Sequence, residues 1–463
     1  MRERAKNAWE NVNSTLWFVP AVLIVLAIAS SSVLIQVDVA LIGNRHTNTI
    51  LPWLFSGTAD AARSILSTIA GSLITVISIA FSLIIIALQQ ASAQFTPRVL
   101  RSFTADRGNQ VVLGMYIATF VYSLLVLRAV RSANQSRNQT DFIPSLSVTI
   151  AIVLAIVCLG LLIYFIHHTS QSLQVSVILD RVRADLIAQL DALYPDRRAD
   201  WIVDQSPVPV LIASLAGEGI AHRILSERTG FIRTIDEEAI RATALDGVQW
   251  LWVRRQVGDF VTTGGVLAEC RADVPPDAPL SRCVRDAIVI DDRRSINQDP
   301  LFGVRQLVDI ALKGLSPGIN DPTTADYALY HLGDALGHLA GRAIPPAGQI
   351  AETSGAWIFF SRPTWDAFVA AAFDQIRRAA TGQVQVLQTL LDILADLAVH
   401  IPPGSRSDAI RHQVAEVRRI VARADWSEAD TQSLICRADR VDDLLSPLAA
   451  ETVHRPCEPR EEG

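Results

Sequence analysis

Four apolar runs of about twenty residues each crowd into the first part of the chain, and they constrain everything else. They lie at about 16–37, 65–88, 111–130 and 147–166. About 20 helical residues cross a hydrocarbon core of ~30 Å. A chain in lipid must pair its own backbone polar groups, so each run is expected to cross as a helix. The first run is too long for the apolar stretch of a signal peptide, and no small-residue cleavage site follows it. No run beyond residue 168 is long enough to span. Only 19% of the residues are charged, against about 25% in soluble domains, which argues against a wholly soluble enzyme and against disorder.

Basic residues set the expected orientation. Arg2, Arg4 and Lys6 precede the first span; Arg98, Arg101 and Arg107 follow the second; Arg181 and Arg183 follow the fourth. The opposite loops carry Arg45, Arg63, Arg131 and Arg137. The bias predicts a multi-pass membrane protein with both termini in the cytoplasm. The formal net charge of −6 gives no basic field for nucleic acid.

The fold class expected is therefore four transmembrane helices (residues 1–168), then a cytoplasmic α+β region. An amphipathic connecting helix is expected over 169–200, because Val175, Leu179, Val182, Leu186 and Leu190 recur at helical spacing. Residues 201–295 carry short strand signals around Val248, Trp250 and Trp252, with a turn at Gly258-Asp259, and predict a small barrel- or sandwich-like part. Residues 296–454 read as helical, and 455–463 as a disordered tail.

Several chemistries find no support. Of the 41 basic residues only Lys6 and Lys313 are lysine. The β-rich stretch has a local likeness to biotinyl and lipoyl carriers but lacks the lysine a carrier needs. The five cysteines form no close pair, so reduced thiols are expected, with no metal and no cofactor. His167-His168 do not share a helical face and so do not form a metal pair. The G-x-S-x-G, H-E-x-x-H and Walker A signatures do not occur, so no enzyme activity is assigned.

Four segments together resemble a known family. They are STIAGSLITVISIAFSLIIIALQQASAQFTPRVLRSF (Ser67 to Phe103), DRGNQVVLGMYIATFVYSLLVLR, IHHTSQSLQVSVILDRVRADL and DPLFGVRQLVDIALKGLSPGINDPTTA. They are similar to a widespread bacterial family of membrane proteins catalogued as a domain of unknown function. The resemblance covers most of residues 10–340. It implies a membrane location and carries no activity, substrate or catalytic residue.

Two constellations are the candidates for function. In the second span Thr68, Ser72, Thr75, Ser78 and Ser82 form one small, weakly polar stripe, continued by Gln89 at the helix exit. Tight helix packing explains such a stripe without further function. A pore lining in a homo-oligomer is the functional reading. No charge lies at mid-span depth, which favours passive permeation over a pump. Arg98 and Arg101 would lie at the inner membrane surface, as anchors or as contacts for anions and acidic headgroups. The second constellation is Asp291, Asp292, Asn320, Asp321 and Thr324. Their oxygens suit a cation or small cytoplasmic ligand, although Asp321-Pro322 also reads as an ordinary helix cap. The expected function is an oligomeric channel-like protein in contact with the lipid bilayer, its cytoplasmic region serving regulation or assembly. The alternative is a membrane-anchored sensor or scaffold that binds through that region.

Overall fold

The computed structural model describes residues 17–42, 55–94, 106–131, 142–172, 174–195, 210, 212, 220–242, 247–272, 278–296, 298–345, 348–350, 355–401 and 406–446. It divides into two compact units, Met1–Val177 and Ile178–Gly463.

The first unit is built from α1 (Phe18–Ile42), α2 (Ala59–Gln94), α3 (Arg107–Ala129) and α4 (Ser145–Ser172). All four are long and apolar enough to cross a membrane, with candidate spans of 23, 32, 23 and 27 residues. Asp106 starts α3 by accepting from the backbone N–H groups of Gly108 (2.8 Å) and Asn109 (3.4 Å). A two-way backbone bond between Arg131 and Phe142 ties the end of α3 to the approach to α4. The core of this unit joins Leu66, Tyr122, Val126, Val148 and Ala151 in one cluster. Leu73, Ile77, Val112, Leu113, Tyr116 and Phe165 form a second. Gly114 lets α1 approach α3: a Cβ there would stand 2.6 Å from Leu23 Cδ1 and 3.0 Å from Pro20 Cα. Small residues permit this kind of close helix contact in lipid.

The second unit continues from α5 (Val175–Leu193), whose Leu179, Val182, Leu186 and Leu190 are buried. Strands follow at β1 (Ile220–Leu225), β2 (Gly230–Ile235), β3 (Val248–Val253), β4 (Phe260–Val261), β5 (Val266–Ala272) and β6 (Ile288–Asp291). The short helices α6 (Glu237–Arg241) and α7 (Ala278–Ala287) interrupt them. Two more strands, β7 (Gly348–Ile350) and β8 (Trp357–Phe360), come from far along the chain. They complete a five-stranded sheet of order β1-β5-β3-β8-β7, in which only β3–β8 is parallel. A separate three-stranded sheet has the order β4-β2-β6. The described strands form an α+β unit with no closed barrel, so the barrel part of the expectation gives way to two open sheets. The reason is visible at the edges: β1 and β7 each pair on one side only.

The helices are α8 (Pro300–Gly314), α9 (Pro322–Ala340), α10 (Trp365–Ala379), α11 (Val384–His400), α12 (Arg406–Val421) and α13 (Glu428–Leu444). Asp299 and Asp321 cap α8 and α9, each followed by proline in the first turn. Neighbouring packing runs α9–α11–α13 on one side and α8–α10–α12 on the other. Leu329, Leu332, Leu390, Leu394, Phe373 and Val414 are among the side chains buried there. Cys158, Cys270 and Cys283 carry no disulfide. Cys436 is disulfide-bonded, a departure from the expectation of uniformly reduced cysteines.

Candidate functional site

The second span presents two unlike sides. Ala62, Leu66, Ala70, Leu73, Ile77, Ala80, Ile84 and Ala87 are buried within the first unit. At 100° per residue, Thr68, Thr75 and Ser82 lie roughly opposite, with Ser78 toward one edge and Ser72 toward the other. All five are exposed, as is Gln89. The stripe is therefore not used for packing against the other described spans.

Each hydroxyl on this side bonds to the helix that carries it. Thr68 donates to Ser64 O (2.7 Å), Ser72 to Thr68 O (2.7 Å) and Thr75 to Gly71 O (3.2 Å). Ser78 donates to Ile74 O and Ser82 to Ser78 O, both at 2.9 Å. The single proton of each hydroxyl is thus used inward and its oxygen lone pairs remain available outward. Exposed Ile79 and Ile86 border the same side. Arg98 and Arg101 lie outside the described residues.

The Asp291–Thr324 segment resolves into separate fixtures. Asp291, at the end of β6, accepts from the buried Arg233 guanidinium on β2 (3.0 Å) and from the backbone N–H of Asp292 (2.7 Å). Asp292 itself is exposed. Asn320, Asp321 and Thr324 are brought together at the start of α9. Asn320 adopts the left-handed backbone region (φ 48°) and its side-chain oxygen accepts from Gln383 Nε2 at 3.2 Å. Asp321 accepts from Thr324 N (3.2 Å) and from Thr324 Oγ1 (2.6 Å), so each of its oxygens has a partner. Asp291 takes its partners from β2 and from the local backbone rather than from this group. Among the described residues no cluster of three or more His, Cys, Asp or Glu could hold a metal ion.

Between these two fixtures lies a buried ion pair. Arg294 reaches Asp299 through Nε (2.9 Å) and Nη2 (3.0 Å), while Asp299 also accepts from Phe302 N (3.1 Å). Burial raises the Asp299 carboxyl to about 6, against the lowering effect of Arg294. Gly258 (φ 93°) closes over the pair: a Cβ there would stand 2.6 Å from Asp299 Oδ2 and 2.7 Å from Arg294 Nη2. Glycine at this turn thus serves close approach as well as its positive φ.

Two inter-helix contacts in the first unit escaped the sequence reading. Asp38 is buried on α1 and caps α4 from outside it. Its carboxylate accepts from Leu146 N and Ser147 N (both 3.0 Å) and from Ser147 Oγ (2.6 Å). The one available signal was an acid set between apolar residues just past the first run. The second contact joins Asp106 to His168 Nε2 (3.0 Å), whose ring stacks on Tyr164 at 5.3 Å. His168 therefore links the start of α3 to the end of α4, while His167 is exposed.

These features define a multi-pass α-helical membrane protein that carries a separate α+β unit. The family model described as "Predicted membrane protein (DUF2254)" matches residues 13–396, and the chain belongs to that family. Uncharacterised proteins of Mycobacterium bovis and Mycobacterium tuberculosis are each 34% identical to it over 462 residues. The alignments cover 98% of this chain and 84% of each relative. No solved structure matches the chain.

Proposed function

We propose that the protein is a subunit of an oligomeric, channel-like assembly in the bacterial inner membrane. The observation that carries this reading is the hydroxyl ladder of α2 turned away from its own bundle. Its inward side is already filled by Leu66, Leu73, Ile77 and Ile84. The polar side is the one left for a further surface or an aqueous path. Rings of hydroxyl oxygens, one set from each copy, would replace part of the water around a permeating ion. Ile79 and Ile86 would narrow the same path with apolar side chains, a recognised way to gate by dewetting. No ionisable residue lies between Arg63 and Gln90, which fits passive permeation better than a charge-coupled pump.

In this reading both termini lie in the cytoplasm, and the second unit regulates or assembles the pore. The alternative, a membrane-anchored sensor binding a cation or ligand at Asn320, Asp321 and Thr324, has less support. The Asp321 oxygens are already engaged by Thr324.

The test is ion flux from liposomes holding the full chain, with Thr75→Leu and Ser82→Leu as variants. Flux that falls at least about tenfold in both variants, with an oligomeric mass in mild detergent, supports the channel. A folded, reconstituted protein that passes no ions, or a monomeric mass, overturns it.

A further inference from the structure

We propose that one edge of the second unit, formed by the Ser316–Asp321 turn and the first turns of α9, docks on the headgroup zone of the bilayer. This inference rests on the membrane location of the chain and not on the channel reading. It starts from a register. Asp180 of α5 lies 3.9 Å from His331 of α9, Arg183 bonds Asp334 at 2.7 Å, and Asp191 bonds His338. The partners ascend together along both helices, so α5 and α9 run parallel. Their N-terminal ends therefore lie at the same end of the unit. The first residue of α5, Val175, is three residues from Ser172, the end of α4. Three residues reach at most about 10 Å. Three residues of chain thus separate the end of α4 from the start of α5, and the Ser316–Asp321 turn lies at that same end of the second unit.

That edge is dressed for such a neighbour. Ile319 is 43% exposed, Tyr327 48% and Tyr330 53%, with Pro317 and Gly318 exposed beside Ile319. Tyr327 and Tyr330 share one stripe of α9 with Thr323 and with Asp334, the partner of Arg183 on α5. Tyrosine is favoured at headgroup depth, where its ring meets apolar atoms and its hydroxyl meets water. The opposite edge of the same end has another character. The start of α13, reached from α9 across α11, carries exposed Asp425 and Glu428, which anionic headgroups repel. Contact is therefore confined to the α9 edge.

The experiment uses the full chain in nanodiscs of phosphatidylethanolamine and phosphatidylglycerol. Benzoylphenylalanine replaces Ile319, Tyr327 or Tyr330 one at a time, and adducts formed on irradiation are identified by mass spectrometry. Ile156 on α4, 65% exposed, is the lipid-facing control, and Val399 near the far end of α11, 67% exposed, is the water-facing one. The expected result is lipid adduct at Ile319 and Tyr327 about tenfold above Val399. Adduct no higher than at Val399, with Ile156 labelled, overturns the proposal. Crosslinks from these positions to a second copy or another protein, in place of lipid, overturn it as well.

Discussion

In α2, Thr68, Ser72, Thr75, Ser78 and Ser82 each donate to a carbonyl one turn back in the same helix. In the second unit, Arg377 of α10 reaches out of its helix to Gln413 (3.0 Å) and Glu416 (3.1 Å) of α12. It also holds Asp374 on its own helix at 3.2 Å. The two regions bury similar aliphatic side chains but treat polar groups differently. A hydroxyl on a membrane-spanning helix has a backbone carbonyl one turn back within reach and bonds to it. A guanidinium buried in the second unit loses its water and must recover its hydrogen bonds from other elements. The first arrangement leaves the fold indifferent to the side chain. The second makes one residue hold several helices.

The largest expected effect breaks the second arrangement. Arg377 is buried, and burial raises the Asp374 carboxyl, but Gln413, Arg377 and Arg378 together hold it below the usual carboxylate range. Arg377→Met removes the charge and leaves Asp374 and Glu416 without it. The expected loss is about 3–5 kcal/mol. Hydrogen exchange of the α10 and α12 amides in the full chain measures it. Protection equal to that of the parent would mean that the network is ornamental.

Next comes one substitution made on both sides of the comparison. Leu390→Ala removes a fully buried side chain from α11, and Leu66→Ala removes one from α2. The site in the second unit loses transfer free energy as well as packing, about 3–5 kcal/mol. The site among the spans loses mainly packing, because lipid tails are as apolar as leucine, and about 1–2 kcal/mol is expected. Equal losses, read by local exchange in detergent, would break the distinction between the two solvents.

A third effect depends on pH. Asp299 titrates at about 6 because burial outweighs the Arg294 pair, whereas an unfolded aspartate titrates near ~3.9. Between these values the folded form holds the extra proton. The contribution of this group to stability is full below about pH 4 and is lost as pH rises to about 6, by about 2–3 kcal/mol. Asp299→Asn keeps the cap and should flatten that slope in thermal unfolding followed from pH 4 to 7. An unchanged slope would assign the pH dependence to other groups.

How much of this was readable beforehand follows from the range of each interaction. The four spans are legible because a run of about twenty apolar residues has few other fates. The Asp299-Pro300 and Asp321-Pro322 helix starts are legible because capping is local. The strands β7 and β8 are three and four residues long, too short for a periodic signal. The parallel pairing of Trp250 with Trp357 joins residues over a hundred positions apart. Asp38 reaching Ser147, and Arg377 reaching Gln413, are likewise tertiary facts. The α2 stripe is an intermediate case. Spacing puts its members on one side, but only the neighbouring helices decide which side turns inward.

The smallest stability effect is expected on that stripe, and it sharpens the comparison most. Thr75→Val and Ser82→Ala delete hydroxyls whose hydrogen bonds among the described residues stay within their own helix. Neither leaves a buried group unpaired, because the carbonyls of Gly71 and Ser78 belong to the helix ladder. The expected change is within about 0.5 kcal/mol. If the exposed hydroxyls serve permeation, flux should fall while folding, measured by exchange in α2, stays as it was. A loss of folding in both variants would instead make the stripe a packing surface between copies. The hydroxyls would then be held for the assembly's stability, as the Arg377 network is held for the second unit.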